Sequence, residues 1–206
     1  VIVDDKGERL IVSARDVNLP SDTSWLPLER LENAGAVVVD LRWLEAARLV
    51  LARAKVLGIP TIIDSDFGSD EVLGDILPLT DYAIFSESML GDWAGSKEID
   101  QKLKYVAARG PVHAGVTLGE NGYRWYQDGS IQSMPAFKID AVDTSGAGDA
   151  FHGGFVAALI ERNQIPACVR FASAVAALKC RRVGARAGLP SREEAEAFLS
   201  QHPVLH

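Results

Sequence analysis

Short apolar runs recur along this chain, separated by helix-forming stretches, and that alternation narrows the fold more than any other feature. Ala36-Val-Val-Val39, Ile59–Ile63, Tyr82–Phe85 and Pro111–Leu118 read as buried strands. Trp43–Leu57 carries Leu44, Ala47, Val50, Leu51 and Ala54 at helical spacing and is closed by Gly58, a helix-stop residue. Ile99–Arg109 reads as another helix. Strands alternating with helices imply an α/β chain built on a mostly parallel, doubly wound sheet flanked by helices. Ligands of such sheets bind outside the carboxyl ends of the strands, where Asp40, Asp64, Ser86 and Gly119 fall. Gly122–Met134 changes character and reads as an antiparallel hairpin turning at Asp128-Gly129. Three helices are expected after it, at Gly148–Arg162, Pro166–Cys180 and Arg192–Gln201. Val1–Val3 and Arg9–Val12 read as two strands around an Asp4–Glu8 turn, and Asp16–Pro27 as loop. Residues 1–15 are thus expected to form a small hairpin and residues 16–206 an α/β domain. A two-stranded hairpin does not stand alone, so further chain is expected upstream.

Composition excludes several function classes. The 206 residues suffice for one sizeable core. A net charge of −7 argues against a nucleic-acid surface. No apolar run reaches the ~18 residues that cross a bilayer, and no signal peptide is visible, so neither nucleic acid nor membrane is an expected partner. Cys168 and Cys180 lack metal-ligand spacing and read as reduced thiols, which fits a cytoplasmic location. From Arg162 to Arg192 there are seven basic residues and no acidic one. A solvated face is the default reading, and a bound polyanion is the other.

The chemistry is concentrated in Asp143-Thr-Ser-Gly-Ala-Gly-Asp149 and the apolar stretch Ala150–Val156 that follows. A glycine-containing turn opens directly into a helix, whose first N–H groups have no internal partner. Glycines let an anion approach the backbone, and Asp149 places a carboxylate in the same turn. Phosphoryl transfer to a hydroxyl needs both: donors for the phosphoryl charge and a base for the alcohol. A helix-capping Asp is the bland alternative. A dinucleotide fingerprint would require glycine where Phe151 stands, and no Gly-Lys-Ser/Thr tripeptide for a Walker loop occurs. Thr117-Leu-Gly-Glu-Asn-Gly122 follows a strand in the manner of a ligand-binding turn, and turns of this composition are common. His152, one helical turn beyond Asp149, reads as a packed structural histidine rather than a relay. Arg42 reads as a surface residue at a helix start, with reach to an anionic substituent as the other option.

The stretch from Asp143 through Thr144, Gly146, Ala147, Gly148 and Asp149 to Gly153 and Gly154 resembles the C-terminal signature of the PfkB, or ribokinase-like, carbohydrate kinases. The resemblance implies a ribokinase-like fold of which residues 1–15 are part of a small β lid, with an N-terminal third that this sequence does not contain. It implies ATP and Mg²⁺ as cofactors, K⁺ as a further one, and Asp149 as the base toward a sugar hydroxyl. Gly146, Ala147 and Gly148 would supply the anion hole, and Asp143 would hold the monovalent cation or organise the loop. Thr117, Gly119 and Gly122 match the family's nucleotide segment. Gly184, in Val183–Pro190, matches a terminal loop near adenine and the monovalent cation, where backbone carbonyls would supply the ligands. Many members carry Asn-x-x-Glu where this chain has Ser86-Glu-Ser-Met89. Glu87 is the nearest carboxylate, either an outer ligand of Mg²⁺ through water or a plain helix-start acid. That departure and Phe151-His-Gly-Gly are similar to fructose-type and sulfosugar members, implying a ketose or sugar-acid substrate. A homodimer formed through the lid is also implied. The rival expectation is a sugar- or nucleotide-binding protein without catalysis on the same scaffold.

Overall fold

Six strands, each one place further along the chain, make one mixed sheet in the computed structural model. The structure describes residues 2–3, 9–10, 21–65, 69–92, 98–161 and 163–203. Strands β1 (Ile2–Val3) and β2 (Arg9–Leu10) pair antiparallel as a separate two-stranded ribbon. The turn expected at Asp4–Glu8 and most of the Asp16–Pro27 loop lie outside the described residues.

The sheet follows the order β3 (Val37–Asp40), β4 (Thr61–Ser65), β5 (Tyr82–Ser86), β6 (His113–Thr117), β7 (Tyr123–Gln127) and β8 (Ser130–Met134). The first four are parallel, with Asp40 opposite Asp64 and Ser86 opposite Thr117. β7 runs antiparallel to β6. β7 and β8 are joined by Asp128 and Gly129, both at positive φ (49° and 81°), as a type I′ turn requires. The expected strand ends are therefore in place: Asp40 and Ser86 close their strands, and Asp64 is next to last in its own.

The chain packs as two units, each with its own interior. One takes in the described residues within 18–118 and 123–133. Ile62, Ile63, Ala83, Ile84, Phe85, Ala114 and Val116 are fully buried along β4–β6, because a parallel sheet buries both faces. Helices α1 (Leu44–Leu57), α2 (Asp70–Ile76) and α4 (Ile99–Ala107) contribute Leu51, Leu73, Ile76, Leu103 and Val106 to that core. Gly58 ends α1 at φ 69°, in the left-handed cap expected of it. α2 and the short α3 (Glu87–Asp92) were not apparent from periodicity. β6 leaves no room at Gly115: a Cβ there would lie 1.8 Å from the Tyr123 hydroxyl. That hydroxyl instead pairs with His113 Nε2 at 2.8 Å, and burial holds the imidazole down to about 3.

The other unit takes in described residues within 1–17, 119–122 and 134–206. Its helices are α5 (Ala147–Ile160), α6 (Ile165–Cys180) and α7 (Arg192–Gln201). α5 and α6 approach closely because Gly154 faces Ala172; a Cβ on Gly154 would be 2.9 Å from the Ala172 Cα. The alanine-rich face of α6 is thus a helix-packing surface. Both cysteines lie buried on α6, where burial pushes the Cys168 thiol up to about 11. Ala174, Leu178, Ala195 and Phe198 form the second core under α7. Ser191 begins α7 with a reciprocal capping box to Glu194.

Candidate active site

The loop before α5 is shaped by one buried carboxylate. Val142 and Asp143 donate their N–H groups to the Cys180 carbonyl, at 2.7 and 3.1 Å, which ties the loop to the end of α6. Asp143 Oδ1 accepts the Ser145 N–H at 2.8 Å. Its Oδ2 accepts the Gly184 N–H at 2.7 Å. Lys179, with no exposed surface, donates from Nζ to the Asp143 carbonyl at 2.6 Å and lies 3.7 Å from Oδ1. These contacts hold the Asp143 carboxyl down to about 2, the Ser145 N–H contributing most, then Gly184, with the Lys179 charge adding to them. Sequence spacing offers no sign of a pair 36 positions apart, and Lys179 was not expected in the site.

Gly146 then turns the chain at φ 74° and begins α5. A Cβ there would stand 2.9 Å from Ala185 Cβ, so both dihedral and space select glycine. The Ala147 N–H is used within the turn, donating to Thr144 O at 3.1 Å. The first regular helical bond runs from the Ala150 N–H to Gly146 O, so Gly148 and Asp149 precede any helical acceptor. No side chain caps this end, and no neighbour lies within 4 Å of where a Gly148 Cβ would be. Asp149 is exposed, and its Oδ2 lies 3.6 Å from the Gly146 Cβ position.

Asp149 and Gly146 line a cavity of about 450 Å³, with Gly153, Phe171, Ala185 and Arg186 among its other walls. That size suits a small-molecule site. Gly184, at φ 90°, starts the loop that carries Ala185 and Arg186. His152 is buried and bonds through Nδ1 to the Gly148 carbonyl at 2.9 Å, a structural histidine bracing the same turn. Most of the basic run is engaged locally. Arg182 pairs with Glu194 at 2.5 Å, Arg192 with Glu161 and Glu196, and Arg170 reaches the carbonyls of Leu199 and His202. Arg186 lines the cavity.

The remaining candidate residues are placed as follows. Thr117 ends β6 and donates from Oγ1 to Phe85 O at 3.3 Å. Gly119, at φ 56°, begins a short turn of helix. Gly122, at φ 93°, is demanded by packing, since a Cβ would be 2.1 Å from Met134 O. Ser86 caps α3 by accepting the Met89 N–H at 3.3 Å, and Glu87 is the exposed first residue of that helix. Arg42 pairs with Asp40 at 3.3 Å on the surface. Among the described residues, no three His, Cys, Asp or Glu side chains converge as a metal site, and no helix is long and apolar enough to cross a membrane.

The donor set can be tested against each expected group. Main-chain N–H groups at an uncapped helix start, beside Arg186 and a cavity of this size, fit a nucleotide phosphate chain. Glu87, exposed at the start of α3, is a carboxylate of the kind that holds a hydrated Mg²⁺ through water. A monovalent cation does not fit beside Asp143, whose two carboxylate oxygens accept N–H bonds and whose carbonyl already holds an ammonium.

A mixed six-stranded sheet flanked by helices, with a glycine turn opening a helix beside a carboxylate, defines the ribokinase-like class of α/β fold. Comparison with known proteins agrees. The chain belongs to the pfkB family of carbohydrate kinases, whose family model matches residues 1–192. A crystal structure of a candidate ribokinase from Agrobacterium tumefaciens superposes with a TM-score of 0.89 at 37% identity, covering 97% of this chain and 66% of that one. The Arabidopsis thaliana ribokinase, solved with ribose and ATP, gives a TM-score of 0.77 at 27% identity over 83% of this chain and 57% of its own. Ribokinase of Haemophilus influenzae is 30% identical over 162 residues, which is 76% of this chain and 52% of that protein. The chain thus spans about half to two-thirds of the length of these relatives.

Proposed function

We propose that this chain carries the phosphoryl-transfer half of an ATP-dependent sugar kinase. The observation that carries the reading is the exposed Asp149 carboxylate in the first turn of α5, beside Gly146 on the wall of the cavity. Asp149 accepts the proton of a sugar hydroxyl as that oxygen attacks phosphorus. The Gly148 and Asp149 N–H groups, with Gly146 giving them open approach, stabilise the charge that develops on the transferred group. ATP, when bound, supplies the γ-phosphoryl, and its phosphate chain is held by this helix start and by Arg186. Gly119 and the Gly184 loop would add nucleotide contacts; in the sheet unit, Thr117 is a further candidate nucleotide contact and Glu87 would hold a hydrated Mg²⁺ through water. Asp143 serves as loop organiser.

The relatives named ribokinase favour ribose as acceptor, while Ser86–Met89 and Phe151-His-Gly-Gly favour a ketose or sugar acid. The β1–β2 ribbon is part of a lid over that sugar. The test uses full-length protein with Mg·ATP and a panel of ribose, deoxyribose, fructose and a sugar acid. Sugar-dependent ADP formation is expected, and Asp149→Ala should lower it by about 10²- to 10⁴-fold with unchanged thermal unfolding. Turnover that survives Asp149→Ala would remove the mechanism; ligand binding without ADP release would leave a binding protein in its place.

A further inference from the structure

We infer that Lys179 is an internal monovalent cation: its ammonium fills the position beside Asp143 that the family resemblance assigned to K⁺, and it holds the phosphate-gripping loop in shape without any bound ion. The inference rests on the kinase reading only for its catalytic readout.

Three observations carry it. Lys179 is fully buried in the last turn of a sixteen-residue helix, where aligned carbonyl dipoles favour a positive charge. A charge so placed is tolerated only with close oxygen partners, and the Asp143 carbonyl at 2.6 Å and carboxylate at 3.7 Å are such partners. The same carboxylate grips the Ser145 and Gly184 N–H groups. Lys179 is therefore one contact away from both walls of the cavity, the Gly146 turn and the Gly184–Arg186 loop. A guest cation would meet the fixed ammonium and two N–H groups directed at the same oxygens, and both repel it. Lys179 is thus a positioning residue. It touches neither sugar nor nucleotide, and acts through the loop that Asp143 shapes.

The experiment compares sugar-dependent ADP formation by the full-length protein in choline, sodium and potassium chloride at equal ionic strength. Wild-type turnover is expected to be the same in all three. Lys179→Ala, which removes the charge and leaves space, should lower kcat by about 10- to 100-fold, the range for residues that orient a site from behind. Its KM for ATP should move less. Ammonium or potassium should restore part of the lost rate to Lys179→Ala, a rescue that a purely structural lysine would not show. Wild-type turnover that depends on potassium overturns the inference, and so does a Lys179→Ala kcat equal to wild type. If Lys179→Ala does not fold, the salt comparison on wild type decides alone. If no sugar supports turnover, the kinase reading fails separately. Thermal unfolding then decides: wild type indifferent to potassium at fixed ionic strength supports the inference, and specific stabilisation of wild type by potassium overturns it.

Discussion

The sheet unit and the helical unit each bury a lysine, and they satisfy it differently: Lys102 in the sheet unit donates to the Leu90 carbonyl, whereas Lys179 in the helical unit lies against the Asp143 carbonyl and carboxylate. In the sheet, Ile62, Ile63, Ile84 and Phe85 fill the interior, and ion pairs such as Arg124–Asp100 and Arg48–Asp75 stand half-exposed at its margins. In the helical unit a lysine and an aspartate are driven inside together, and Gly122, Gly146, Gly154 and Gly188 sit where only hydrogen fits. The sheet is specified mostly by many interchangeable apolar residues, with Gly115, His113 and Lys102 as individual exceptions. The helical unit is specified by a few residues that have no substitutes, and those are the ones that shape the candidate site.

Removing one partner from each kind of ion pair probes that difference most strongly. Asp143→Ala leaves Lys179 buried without its carboxylate and should lower the melting temperature by about 10 °C, read by calorimetry. A drop no larger than that of an exposed-pair variant would erase the contrast. Acid titration comes next. His113 is held neutral by burial, about 3 against an ordinary 6.5, so its contribution is complete above pH 6.5 and is lost as pH falls from there toward 3. About 2 kcal/mol should be gone by roughly pH 5, and His113→Phe should flatten that slope. Asp143 acts in a lower window. Its carboxyl is depressed from 3.8 to about 2, so its contribution is full above pH 3.8 and fades as pH falls through about 2; a slope common to both variants would argue against separate windows. Gly154→Val tests the helix contact. Overpacking against Ala172 should cost about 1–3 kcal/mol, measured by urea unfolding, and a neutral result would show that α5 and α6 can part freely. The smallest effect belongs to the sheet margin, where Asp100→Ala should cost under about 1 kcal/mol; a larger loss would mean the sheet also leans on individual charges.

The parts of the fold that were legible are those written in period or punctuation. Short apolar runs marked β3–β6 to within about two residues, Asp128-Gly129 marked the hairpin turn, and α7 occupies the predicted Arg192–Gln201. α2 escaped because seven residues with Gly74 inside give too little periodicity. Ser69, whose hydroxyl accepts the Val72 N–H at 3.3 Å, was the signal available. α3 is half legible, since Glu87 reads as a helix-start acid or an outer metal ligand. In the candidate site, Gly146 and Asp149 announced themselves by local pattern. Lys179 did not, because a tertiary ion pair leaves no mark in spacing, and a lysine in a basic run reads as solvated. Ala147 was expected to offer its N–H to an anion, yet the turn uses that group itself, a detail that backbone hydrogen bonding decides and sequence does not display.

Gly154 has a consequence for anyone altering ligand choice. The neighbouring Gly153 and Ala157 of α5 and Phe171 and Val175 of α6 belong to the cavity wall, so the gap between opposing backbones fixes the bore of the chamber. Side chains can trim its lining, but the aperture is set by the absence of a single methyl group. Engineering a wider or narrower chamber would have to begin at that crossing rather than at the rim.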